Sequence, residues 1–115
     1  MTPRIKLESI VLTEVTLFVA NPQAALAFYT LLGGSPDGDG SGMVWFGDSC
    51  IQLWRGDTTS HIRLSINVDN PATIAAALTD RGHPVEWVDE QRRMFSVSDP
   101  DGNTVMVRAT ACWHR

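Results

Sequence analysis

Residues 13–33, TEVTLFVANPQAALAFYTLLG, and residues 62–82, IRLSINVDNPATIAAALTDRG, superpose without a gap at an offset of 49. Val19 falls on Val68, Asn21 on Asn70, Pro22 on Pro71, Ala27 on Ala76, Thr30 on Thr79 and Gly33 on Gly82. Val15 likewise meets Leu64, and Leu17 meets Ile66. A match of this length marks a duplication, so whatever one half folds into, the other does too. A unit of roughly 50 residues buries too little surface to be stable alone. The two copies must therefore pack together, within one chain or across a dimer. The chain of 115 residues reads as a single domain of two modules, 1–57 and 58–115.

Each copy spells the same elements. Val15, Leu17 and Val19, and then Leu64, Ile66 and Val68, alternate with period two, the mark of a half-buried strand. Asn-Pro follows in both copies. The Asn side chain can cap free backbone N–H groups, and Pro suits the first helical position, where its missing N–H costs nothing. Ala-rich helices are predicted over 22–32 and 71–81, ended by Gly33 and Gly82. Shorter strands are predicted over 42–46 and 50–54 in the first half, and over 85–88, 93–98 and 104–109 in the second. A short strand is expected near 35–37, beside the polar, Gly-rich stretch GGSPDGDGSG, and an extra one within 5–12. The unit is β-α-β-β-β, twice, giving an α+β fold.

Composition narrows the function. Hydrophobic residues make up 43% and charged residues 19%, as a packed globular fold requires. The net charge of -4, with Arg92-Arg93 the one basic pair, argues against nucleic acid as partner. No apolar run approaches the roughly 20 residues of a membrane span, and the N-terminus lacks the apolar core of a secretion signal. Cys50 and Cys112 lie in no CxxC or Cys/His cluster, which fits a reducing cytoplasm better than a zinc site or a disulfide framework.

Strand parity then assigns a second face, turned away from the helices. It carries Glu14, Thr16 and Phe18; Cys50, Gln52 and Trp54; His61, Arg63, Ser65 and Asn67; and Thr104, Met106 and Arg108. Apolar walls with a few polar groups are what a small-molecule cleft needs. Trp45 and Trp87, in neighbouring strands, are candidates to stack on a planar ligand, although a tryptophan also serves as plain core or interface.

The β-α-β-β-β duplication, the opening VTLFVANPQAALAFY and the ending DPDGNTVMV resemble the vicinal-oxygen-chelate superfamily of glyoxalases, bleomycin-resistance proteins and extradiol dioxygenases. The resemblance covers residues 13–109. It implies two βαβββ modules forming curved, barrel-like mixed sheets around a cleft, commonly in a homodimer that exchanges modules between chains. In the metal-using members of the family four inward positions bind the ion. Carried over, these are Glu14, Gln52, Arg63 (or His61, two residues earlier on the same face) and Met106. Arg has donors only, and a thioether is a soft ligand, so the set suits a hard divalent cation poorly. A residual Glu14–Gln52–His61 site is the alternative. Glu14 also reads as an ion-pair partner of Arg63 or Arg108.

The reading that follows is of a protein that binds or sequesters a small, partly aromatic molecule without catalysis and without a cofactor. This is close to the bleomycin-resistance branch and to antibiotic resistance by binding. The ligand contacts are then Glu14, Thr16, Phe18, Trp45, Gln52, Trp54, Arg63, Ser65, Trp87, Met106 and Arg108. Two alternatives stand beside it: a metal-dependent lyase, isomerase or dioxygenase, and an interaction module with no small ligand. In the last, Trp113 in the tail docks on the body or on a partner subunit.

Overall fold

The computed structural model describes residues 14–38, 40–58 and 61–110. The first module runs β1 (Glu14–Val19), α1 (Pro22–Leu31), β2 (Ser35–Pro36), β3 (Met43–Phe46) and β4 (Ser49–Arg55). The second runs β5 (Arg63–Val68), α2 (Pro71–Asp80), β6 (Val85–Trp87), β7 (Met94–Ser98) and β8 (Thr104–Ala109). Every expected element within these residues is present, to within a residue or two at its ends. The strand expected within 5–12 and the docking of Trp113 lie outside the described residues.

The local chemistry acts as the sequence dictates. The Asn21 side chain accepts from the backbone N–H groups of Gln23 and Ala24, and that of Asn70 from Thr73. Gly33 and Gly82 follow the helices at φ of 104° and 85°, values that a side chain would strain. Each module forms one four-stranded mixed sheet, in the orders β1-β4-β3-β2 and β5-β8-β7-β6. β1 runs parallel to β4, and β5 to β8. The hairpin pairs are antiparallel. The sheets remain separate ladders, so the barrel-like arrangement does not close within one chain.

The core is single and crosses the duplication, as the small size of each module demands. The two helices pack against each other. Leu17, Val19, Phe28, Tyr29, Leu32 and Leu53 from the first module share one buried cluster with Leu78, Phe95, Val97, Val105 and Val107 from the second. A polar joint pins the halves. The Tyr29 hydroxyl donates to Asp99 Oδ2 at 2.6 Å, and Asn103 Nδ2 donates to the same oxygen at 2.8 Å. Asp99 Oδ1 accepts from the backbone N–H groups of Asp101 and Asn103. Asn103 Oδ1 accepts from Ile62 N, and Asp101 Oδ1 from Ala20 N. Asp99 and Asn103 are both buried, and each is satisfied by these bonds, as burial requires. The DPDGN motif thus folds into an Asx turn that ties the start of β8 to α1 and to the end of β1.

Candidate functional site

On the first sheet, Leu17, Val19, Ile51 and Leu53 point at α1, so the alternate residues must face outward. Register sets these in rows across the strands: Glu14 beside Cys50 beside Trp45 beside Ser35, then Thr16 beside Gln52 beside Met43, then Phe18 beside Trp54. The aromatic members are open. Phe18 is 50% exposed, Trp54 51% and Trp45 37%. Phe18 stands edge-on to Trp54, with centroids 6.5 Å apart and planes at 81°, so the two rings form a corner.

A hydrogen-bond relay crosses this face. In the bonded orientation of its amide, Gln52 donates to Glu14 Oε2 at 2.7 Å and accepts from Trp54 Nε1 at 2.9 Å. Glu14 is therefore held by Gln52, and among the described residues no ion pair joins it to Arg63 or Arg108. Cys50 is a free, buried thiol beside it. Burial pushes its pKa up, and the charges of Glu14 and Asp37 push it further.

The equivalent face of the second sheet is polar. Offset and register match Glu14 to Arg63, Thr16 to Ser65, Phe18 to Asn67, Gln52 to Met106 and Trp54 to Arg108. Met106 keeps the expected parity but is only 6% exposed, seated in register between Ser65 and Ser96, so it offers no open wall in one chain. Residues of both sheets line one small cavity. Its volume is about 220 Å³, and Glu14, Cys50 and Ser65 are among its lining residues.

Two expected site residues lie elsewhere. Trp87 pairs with the fully buried Phe95, so it faces the helix side. It packs edge-on against Phe95 at 5.1 Å, under the Arg92 guanidinium at 5.3 Å. Trp87 therefore lies on the helix side of its sheet, away from the Phe18–Trp54 face. The cause is parity: Val85 and Trp87 share one face of a short strand, and Val85 faces α2. His61 lies against Gly102, where an added Cβ would come within 3.2 Å of its Nε2. The neighbouring Asp101 is bonded to Ala20, at the far end of β1 from Glu14. Six residues of extended chain, about 20 Å, separate those ends, so one chain does not assemble a Glu14–Gln52–His61 site.

The donor set fits a hard cation badly on other grounds too. The Gln52 carbonyl is turned to the Trp54 N–H and its amide nitrogen to the Glu14 carboxylate, so the two side chains do not aim oxygens at a common point. Among the described residues no three His, Cys, Asp or Glu side chains cluster as ligands.

No protein-family model and no curated protein matches the sequence. Solved structures do match in shape. The trypanothione-dependent glyoxalase I of Leishmania major superposes with a TM-score of 0.70 at 18% identity, over 90% of this chain and 89% of that one. The antibiotic-binding protein TnmS3 of Streptomyces sp. CB03234 gives 0.67 at 22% identity, over 86% of this chain and 94% of that one. The oxidase ChaP-H1 gives 0.72 at 17% identity, over 92% of this chain and all of that one, 100%. The chain has the vicinal-oxygen-chelate fold. Identity this low shows the fold alone, and neighbours described as a glyoxalase, an oxidase and an antibiotic binder show how many chemistries the vicinal-oxygen-chelate fold hosts.

Two features of the site escaped the sequence reading, each with a faint signal. The relay was hidden in the spacing of Gln52 and Trp54, two apart on one strand and therefore on one face. The Tyr29–Asp99 joint was hidden in a single tyrosine on the buried side of a helix.

Proposed function

We propose that the chain binds and sequesters a planar, partly aromatic small molecule, with natural-product antibiotics as the first compounds to try, and does not transform it. The observation that carries this reading is the open Phe18–Trp54 corner, with exposed Trp45 further along the same face of the sheet. Two large apolar rings held open against each other mark a binding surface. Each aromatic pair adds about 0.5–1.5 kcal/mol beyond the area it buries. The antibiotic-binding neighbour supports the reading by analogy of fold. The mismatch between the donor set and a hard cation weighs against ion-assisted catalysis.

In this reading the working species is a cytoplasmic homodimer in which a second copy completes the cleft over that open face. No helix among the described residues is long and apolar enough to cross a membrane. Titrating the tryptophan fluorescence with a panel of planar antibiotics tests the proposal. Saturable quenching at micromolar concentration is the expected result, and no quenching across the panel overturns it.

A further inference from the structure

We infer that the ligand of this face is a planar aromatic amine, bound as its cation, with Glu14 as the counter-charge. The inference rests on the binding reading above and sharpens it to a chemical class. It follows from what the first sheet has left to offer. The Trp54 N–H is used by Gln52, so the indole presents its ring and no donor. The Gln52 amide is used on both sides, by Glu14 and by Trp54. Met43, Phe18 and Trp45 bring no charge. Among the outward residues of β1, β3 and β4, Glu14 is then the one carboxylate, an acceptor, and Asp37, just past β2, adds a second acidic group near Cys50.

One carboxylate oxygen of Glu14 is occupied by Gln52, and among the described residues no cation lies within ion-pair reach of either oxygen. The relay fixes the carboxylate within about 8 Å of the indole nitrogen. A flat ring stacked on Trp54 can therefore set an amino group against Glu14. A positive ring is also drawn to the faces of Trp and Phe by their quadrupoles. Charge and aromatic surface thus select the same molecule.

Three tricyclic probes of one shape test the inference by calorimetry: 9-aminoacridine as cation, acridone as neutral ring and acridine-9-carboxylate as anion. The expected result is that the cation binds about tenfold more tightly than the neutral ring, and the neutral ring more tightly than the anion. Glu14→Gln should erase the preference for the cation over acridone. Trp54→Ala should weaken all three together. Equal affinities in the native protein overturn charge selection but leave planar binding intact. Tightest binding of the anion, through Arg63 on the neighbouring sheet, overturns it as well. If none of the three binds while an antibiotic of the panel still quenches the tryptophans, this inference fails and the binding reading stands; if nothing in either set binds, both fail.

Discussion

Trp54 carries the residue-scale expectations. It is half exposed and contributes little to the core, so Trp54→Ala should leave the melting temperature within a few degrees while lowering affinity for planar ligands about tenfold. Thermal melts beside the fluorescence titration separate the two effects. Cys50 gives the opposite kind of expectation. Its thiol is buried, and burial together with Glu14 and Asp37 keeps it protonated, so it should resist iodoacetamide at pH 8 in the native protein and react promptly in denaturant. Peptide mapping resolves it from Cys112. Single residues were also where sequence reading reached its limit. Parity gave the correct face for Glu14, Gln52 and Trp54, because each lies in a strand whose alternation is plain. It could not settle Trp87, because a strand of three residues, VEW, carries too little alternation to say which way it faces. Nor does periodicity say which side chains bond across a face, and so the Gln52 relay was out of reach.

At the scale of elements, the Asp99–Asn103 turn and helix α1 depend on each other. Tyr29→Phe removes the phenol that Asp99 accepts from and leaves a buried carboxylate short of a partner, at a cost of about 1–3 kcal/mol by denaturant titration. The joint also predicts a pH dependence. Burial, then the bond and charge of Asp99, and then the charge of Asp101 raise the Tyr29 pKa in the folded state. An acid whose pKa is raised on folding stabilises the native state fully below its unfolded value, about 10, and that contribution is lost as pH climbs above it. Tyr29 is the one tyrosine of the chain, so the tyrosinate rise near 295 nm, taken against a Tyr29→Phe reference that carries the same four tryptophans, reports on it. Tyrosinate should appear only as the protein unfolds, and Tyr29→Phe should flatten the alkaline loss of stability. Gly34 sets the path between α1 and β2. An added Cβ there would run into Val44 and Phe46 and come within 2.9 Å of the Tyr29 carbonyl oxygen. Gly34→Ala should therefore destabilise by about 1–3 kcal/mol, measured by the same titration. Elements were the most legible scale of all. The repeated Asn-Pro and Gly fix both helices at both ends, since capping chemistry is local and needs no knowledge of the partner. The unclosed sheets were not legible, because the distance between two edges depends on how whole modules pack.

Over the whole molecule, the two modules share a backbone plan and differ in surface chemistry. One outward face is aromatic with an acid; the other is polar with Arg63 and Arg108 at the matching places. If the aromatic face is covered by a second copy, native mass spectrometry should show twice the chain mass, and Trp54→Arg should shift the population toward monomer. The polar joint carries the same divergence into the interior. The helix position that matches Tyr29 is Leu78, and where the second module has the loop from Asp99 to Asn103 the first has the two-residue turn Gly47-Asp48. The clasp therefore exists once. Two first modules fused head to tail would hold out two phenols with no buried acid to receive them, and two second modules would bury two acids with no phenol to meet them. Neither half can take the other's place: the gene doubled, and its products have since become lock and key to one another.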